Sequence, residues 1–344
     1  MLSSMIDKKI AFYDAKPWEI NLIESSFEKD SVVFCSDALC SINLKNTSEC
    51  EHVEIISSFI NSDLSSSILK SFPNLKYIAT RSTGFDHIDL EYCRQNSIKV
   101  SNVPNYGRHT VAEHAMTLLL CVAKRIPESI IRVENGGFNP EGLTGVDLHQ
   151  KTIGILGTGN IGASMIRMCL GMGMKVVAYD LKESEELSGS LGFKYVSIDD
   201  LYSQSDFISI HLPYLKTTHH IIDATAISKM RTGVYLINTA RGSLIDTKAL
   251  IQALRSGKVG GAGLDVLENE KDINDELSLL TSGQSMTMDE AELIIQNNAL
   301  IKLPNVVVTP HNAFNTAEAL DRITTQTVQN IKSFISGTPI NLVY

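Results

Sequence analysis

The sequence predicts an α/β protein whose parallel sheets are covered by helices on both faces. Three features carry that reading. Short β-rich runs alternate with segments of helical spacing along most of the chain. One of these runs, residues 151–156, ends in G-x-G-x-x-G and opens directly into a helical pattern. Polar residues recur just after the later strands, at the edge where open α/β sheets place their ligands. A length of 344 residues predicts about two domains.

Taken in order, residues 9–13 read as the first strand and 18–27 as a helix. Residues 32–35 and 52–56 are further strands, with a short helix and loops expected between Asp37 and Glu51. Residues 68–72 look like a helix end, stopped by Pro73. Strands come next at 77–80 and 98–101, and the turn-rich stretch 102–107 marks the first crossing between domains. Residues 110–123 form a strong helix, apolar on more than one face and therefore buried, with a second subunit one candidate cover. Glu113 and His114 near its start read as satisfied partners rather than catalytic groups.

From Ile153 the alternation is regular, with strands at 207–213, 233–239, 260–266 and 306–309. Between Glu268 and Asn298 it breaks, and eight acids stand against one base. That stretch reads as a solvated surface excursion with a short capped helix at 289–296. A helix over 316–335 returns the chain to the first domain. The expected division is 1–104 and 312–344 for a substrate domain, and 105–311 for a nucleotide domain.

The net charge of −9 argues against a nucleic-acid surface. The N-terminus shows no basic segment leading into an apolar core, and no apolar run approaches the ~20 residues of a membrane span. Six cysteines without C-x-x-C spacing read as reduced thiols of a cytoplasmic protein, not as disulfides or a metal site.

In the glycine motif, Gly157 permits a tight turn, Gly159 lets a pyrophosphate approach the backbone, and Gly162 lets the helix pack on the strand. The free N–H groups at that helix start then face the phosphates. Asp180 ends the next strand, about 20 positions on, where an acid binds the adenosine ribose and repels a 2′-phosphate. NAD is the expected cofactor.

Three residues near later strand ends fit a proton relay and a carboxylate holder: Arg241, Glu270 and His311. Arginine offers a fixed planar fork to a carboxylate. Histidine exchanges protons near neutral pH, and a carboxylate beside it fixes its tautomer. Each has a plainer reading: a surface ion pair, a solvated acid, a strand cap. Their joint fit to reduction of a 2-keto acid favours the chemical one. The loop Ser82-Thr83-Gly84, with small residues after a strand, reads either as a plain turn or as a carboxylate-holding set of N–H groups.

Four motifs carry a resemblance: Gly157-Thr158-Gly159-Asn160-Ile161-Gly162, Asn238-Thr239-Ala240-Arg241-Gly242, Gly263-Leu264-Asp265-Val266 and Thr309-Pro310-His311. On these the chain resembles the D-isomer-specific 2-hydroxyacid dehydrogenases over nearly its whole length. It is most similar to their fermentative D-lactate branch through Glu141-Gly142-Leu143-Thr144-Gly145, Asp265-Val266-Leu267-Glu268-Asn269-Glu270, Ala313-Phe314 and Thr316-Ala317-Glu318-Ala319-Leu320.

The resemblance implies two Rossmann-like, doubly wound domains with a cleft between them, assembled as a homodimer through the helix from Thr110. It implies Arg241 as substrate binder, His311 as acid/base and Glu270 as its partner. Asn160 and Ile161 would lie at the pyrophosphate and Asp180 at the ribose, with Leu212, Pro213, Thr218 and Ala240 along the cofactor and Thr239 and Asp265 near the nicotinamide. Tyr106 and Phe314 would contact the substrate. Ser82-Thr83 and Asp86-His87 depart from the lactate branch and bear on which keto acid is taken; His87 itself reads as loop surface. The leading expectation is reduction of pyruvate to D-lactate. The alternatives are a dehydrogenase of bulkier 2-keto acids and an NAD-sensing corepressor or scaffold of the same fold.

Overall fold

A computed structural model describes residues 9–28, 30–40, 50–270 and 287–344. The chain divides into two compact units, Met1–Tyr106 with Asn315–Tyr344, and Gly107–Phe314.

The first unit is built on a five-stranded parallel sheet in the order β2-β1-β3-β4-β5. Its strands are β1 (Ile10–Phe12), β2 (Val32–Phe34), β3 (Ile55–Ser58), β4 (Tyr77–Thr80) and β5 (Lys99–Ser101). Helices α1 (Pro17–Ser26), α2 (Ser66–Leu69) and α3 (Leu90–Gln95) connect them. β3 starts at Ile55 rather than at His52, because Val53 is already buried in the core below the sheet while only Ile55 onward pairs with β1 and β4. The short helix expected within 37–51 falls largely on residues 41–49, outside the described residues.

At the carboxyl edge of this sheet Arg81 is 1 % exposed. Its Nη2 donates to the carbonyls of Tyr13 (2.7 Å) and Asp14 (2.9 Å), its Nη1 to Ser57 Oγ (3.1 Å), and its Nε lies 3.1 Å from Glu19 Oε2. The guanidinium stitches the ends of β1 and β3 to β4. Arg81 is thus a structural pin below the 82–84 loop.

The second unit has a seven-stranded parallel sheet in the order β12-β11-β10-β9-β6-β7-β8. The strands are β6 (Thr152–Leu156), β7 (Lys175–Tyr179), β8 (Lys194–Tyr195), β9 (Phe207–Ile210), β10 (Val234–Asn238), β11 (Val259–Leu264) and β12 (Val306–Val308). The helices are α4 (Thr110–Lys124), α5 (Ile126–Glu134), α6 (Asn160–Gly171), α7 (Glu185–Leu191), α8 (Ile198–Gln204), α9 (Ala224–Lys229), α10 (Thr247–Ser256) and α11 (Met288–Ile301). Strand order reverses at β6, so the carboxyl ends of β6 and β9 flank a topological switch point. Separate apolar clusters pack the two faces of the sheet.

Two expectations change here. The helix at α11 runs to Ile301, because Ile294, Asn297 and Leu300 recur on one face and are buried against α10 and β12. The ends of the acidic stretch are therefore packed parts of this unit, not a solvated excursion; residues 271–286 lie outside the described residues. Helix α4 is buried from within its own unit, against α6, β10, β11 and β12. A run of exposed apolar side chains lies instead on α5 and the loop after it: Ile126, Ile130, Ile131, Val133 and Phe138. The last helix, α12 (Ala317–Ile335), is capped by the Thr316 hydroxyl and packs on α1 and β4 of the first unit.

Candidate active site

The glycine loop leaves β6 with its three glycines in different roles. Gly157 has φ +93°, and a Cβ there would stand 2.7 Å from the His211 carbonyl oxygen. A Cβ on Gly162 would stand 2.0 Å from the Gly157 oxygen, so helix and loop are in backbone contact. A Cβ on Gly159 would meet nothing within 4 Å, which leaves that side of the loop open. No side chain caps the first turn of α6, whose N-cap is Gly159. Ile161 turns toward the core and leaves its N–H at the helix start.

Asp180 closes the loop from β7. Its Oδ2 accepts from Thr158 N (2.7 Å) and Oγ1 (3.0 Å), and its Oδ1 from Lys182 N (3.0 Å). With the Thr158 hydroxyl hydrogen given to Asp180, Tyr195 donates its own to Thr158 Oγ1 (2.9 Å) and accepts from Ser184 N (3.3 Å). Burial raises the Asp180 carboxyl, but these donors outweigh it and hold it below the usual carboxylate range. Thr158 and Tyr195 were not among the sequence candidates; they are legible only once β7 and β8 lie side by side.

At the end of β9, Leu212 stands beside Gly157. The Thr218 hydroxyl donates to Pro213 O (2.8 Å) and accepts from Leu215 N (2.8 Å), closing the loop that carries Pro213. Burial pushes the neighbouring His211 down to about 4, so it stands neutral at physiological pH.

At the end of β10, Asn238 clamps the turn. Its Oδ1 accepts from Ala240 N (3.0 Å) and its Nδ2 donates to Arg241 O (2.8 Å). The Thr239 hydroxyl oxygen is buried without a hydrogen-bond partner among the described residues. Arg241 is half-buried, with Nη1 on the Ala240 carbonyl at 2.7 Å.

Asp265, after β11, carries the loop that presents His311. Its Oδ1 accepts from Thr309 Oγ1 (2.6 Å) and Asn312 N (3.0 Å), and its Oδ2 from Ala313 N (2.9 Å). His114 Nε2, on α4, lies 3.4 Å from Oδ1 and 3.0 Å from Thr309 Oγ1. Burial raises the Asp265 carboxyl, yet the bonds from His114, Thr309, Ala313 and Asn312 bring it below the usual range. His114 is thus a satisfied partner, and it rests on Asp265, one of the candidate site residues. His311 has φ +49° and donates its N–H to Asp265 O (2.9 Å). Its Nδ1 hydrogen-bonds Glu270 Oε1, while Glu270 Oε2 accepts from Leu267 N (3.2 Å). Among the described residues His311 Nε2 has no hydrogen-bond partner, so the exchangeable end of the ring is available. Phe314 comes next, half-buried.

In the first unit, the Ser82 hydroxyl contacts Thr80 Oγ1 (2.7 Å) and Gly84 O (2.5 Å), and the Thr83 hydroxyl donates to Val103 O (2.8 Å). These side chains brace the loop, and the N–H groups of Thr83 and Gly84 have no acceptor among the described residues. Half-buried His87 approaches Thr80 with Nε2 3.4 Å from Oγ1, so it is part of this loop's packing rather than bare surface. Tyr106 is half-buried, and its carbonyl accepts from Arg322 Nε at 2.9 Å.

An open glycine, an uncapped helix start, a preset acid and an orphaned buried hydroxyl fit a dinucleotide. A histidine braced by a carboxylate on the same sheet edge adds proton chemistry, and together they define a nicotinamide-dependent oxidoreductase. The chain belongs to the D-isomer specific 2-hydroxyacid dehydrogenases: residues 116–313 match the NAD binding domain of that family. It is 36% identical over 337 residues to the D-lactate dehydrogenase of Escherichia coli, covering 96% of this chain and 97% of that one. The aromatic 2-oxoacid reductase of Clostridium sporogenes is 38% identical over 269 residues, 77% of each chain. Among solved structures, the D-lactate dehydrogenase from Aquifex aeolicus complexed with NAD and lactic acid superposes with a TM-score of 0.87. That pair is 36% identical, over 97% of this chain and 99% of the other. The protein is an NAD-dependent D-2-hydroxyacid dehydrogenase, which decides for an enzyme over a scaffold.

Proposed function

We propose that the chain reduces pyruvate to D-lactate with NADH, as a cytoplasmic homodimer. The observation that carries the chemistry is the His311–Glu270 pair, with Nδ1 engaged and Nε2 available. Glu270 accepts from Nδ1–H and so keeps the neutral ring in the tautomer whose Nε2 is bare. Protonation then puts the transferable N–H at Nε2, and the carboxylate balances the imidazolium charge. His311 then gives its Nε2 proton to the carbonyl oxygen of the keto acid. Bound NADH supplies the hydride that reduces C2. Arg241 offers its fork to the substrate carboxylate, and the free N–H groups of the 82–84 loop are further carboxylate donors. Tyr106 and Phe314 are the proposed contacts for the rest of the substrate.

Gly157, Gly159, Asn160, Ile161 and Gly162 would hold the pyrophosphate and Asp180 the ribose. Leu212, Pro213 and Thr218 would line the cofactor, with Thr239 and Ala240 at the nicotinamide. The Thr239 hydroxyl supports this, since a buried hydroxyl without a partner costs about 1–3 kcal/mol until one arrives. For Asp265 the proposal is indirect: its side chain is 0% exposed, so it serves the nicotinamide site by holding the 309–313 loop.

Pyruvate is favoured by whole-length likeness to proteins named for D-lactate. The similarity to an aromatic 2-oxoacid reductase supports a second reading, a preference for bulky 2-keto acids. The six cysteines are free thiols, as suits a reducing compartment. The exposed apolar side chains of α5, with Phe138 95% exposed, are the proposed dimer surface.

The test is kcat/KM with NADH for pyruvate, a branched and an aromatic 2-keto acid. Pyruvate is expected to lead; a lead for the aromatic acid hands the assignment to the second reading. His311→Ala is expected to lose about 10²- to 10⁴-fold in turnover while still binding NADH. Wild-type turnover in that variant would remove His311 as proton donor.

A further inference from the structure

Glu270 stands at the end of a turn, and that turn is held two residues upstream. The Glu268 side chain is only 12% exposed. Its Oε1 takes a hydrogen bond from His220 Nε2 at 2.6 Å. Its Oε2 accepts from the Thr247 hydroxyl at 2.7 Å and from Thr247 N at 3.3 Å. Its carbonyl accepts from Asn297 Nδ2 at 2.8 Å, and Asn297 is itself 1% exposed. Three separate pieces of the unit therefore converge on one residue: the 218–222 segment, the start of α10 and the middle of α11.

The same residue is fixed along the backbone. A Cβ on Gly242 would stand 2.1 Å from Leu267 C and 2.4 Å from Glu268 N, so the turn after Arg241 rests directly on this main chain. His220 N donates to Ser243 O at 2.9 Å, which ties the histidine of the Glu268 pair to that same turn. Residues 267–268 are blocked on one side by Gly242 and held on the other by His220, Thr247 and Asn297. Asn269 then takes φ +46°, and Leu267 N binds Glu270 Oε2, leaving Oε1 for His311. The placement of Glu270 depends on that of 267–268.

We infer that Glu268 is a positioning residue: through His220 and Thr247 it fixes the turn that aims Glu270 at His311. The inference rests on the proposed relay role of His311 and Glu270. The Glu268 carboxylate is taken up by His220 and Thr247, so its effect reaches the reaction through the Glu270 carboxylate. A charged, fully engaged carboxylate suits this task because hydrogen bonds to a charged group are roughly twice as strong as neutral ones and geometrically specific.

The experiment is a double-mutant cycle on keto-acid reduction at saturating NADH, comparing wild type, Glu268→Gln, Glu270→Gln and the double variant. NADH affinity by fluorescence and Tm are measured on each. Glu268→Gln is expected to lower kcat by about tenfold, since a small misplacement of a catalytic partner suffices for that. The keto-acid KM and the NADH Kd should stay within about twofold, and the loss should vanish when Glu270 is already Gln, as coupled residues require. His220→Asn, at a half-exposed position, is expected to reproduce the kcat loss and replaces Glu268→Gln if that variant does not fold.

An unchanged kcat in both single variants overturns the inference. So does an equal loss in both Glu270 backgrounds, or a loss confined to KM or to NADH affinity. If Glu270→Gln keeps wild-type kcat, the relay reading falls and takes the inference with it. If Glu270→Gln is impaired and Glu268→Gln is not, only the inference falls.

Discussion

Asp265 shows how much one buried carboxylate can organise. It holds Thr309, Asn312 and Ala313 at once, with His114 against it from α4, and so shapes the loop on which His311 sits in a left-handed conformation. These bonds hold its carboxyl below the usual carboxylate range, so the unfolded chain takes up its proton at a higher pH than the folded one. The stability it contributes is therefore complete above the unfolded value, about 4, and is lost as pH falls through the lower folded value. Melting temperature measured from about pH 6 down to about pH 2 should fall for wild type across that window, and fall less for Asp265→Asn, which starts lower at neutral pH. The residue itself was legible in Gly263-Leu264-Asp265-Val266. Its partners were not, because they come from α4 and from the end of β12.

At the scale of elements, the glycine loop separates two demands that the motif writes in one line. Gly162 answers to packing, while Gly159 borders open space and is the glycine proposed to face the pyrophosphate. Gly162→Ala puts a methyl 2.0 Å from a backbone oxygen, so loop and helix must part. Overpacking of that kind costs about 1–3 kcal/mol or more, and both Tm and NADH affinity are expected to drop. Gly159→Ala meets no protein atom within 4 Å, so Tm should hold while NADH affinity falls. Calorimetry and fluorescence titration of the two variants check the split; equal losses of Tm would remove it. Periodicity also failed in instructive ways on α11. Its first turn is acidic, Ile295 and Ile301 are exposed while Asn297 is buried, and burial against α10 and β12 therefore shows only in three dimensions.

For the whole molecule, each apolar cluster draws its residues from a single unit. A fragment of residues 107–314 therefore has its own two-faced core and is expected to fold alone and bind NADH with affinity near that of the full chain. It should show no turnover if the 82–84 loop and Tyr106, which belong to the other unit, hold the substrate as proposed above. An unfolded fragment by circular dichroism, or one that reduces keto acids, would contradict this.

Strand and helix alternation, the glycine loop, Asp180 and the set Arg241, Glu270 and His311 could all be read along the chain. Each depends on residue type and spacing, and those are properties of the sequence. Folding alone decided which carboxylate braces the His311 loop, that Arg81 pins the ends of β1 and β3 to β4, and that Glu268 is anchored instead of solvated. It also decided that α4 is covered from within and α5 is not. All of these depend on contacts between residues tens to hundreds of positions apart. Such contacts arise only when parallel strands bring their carboxyl ends to one edge.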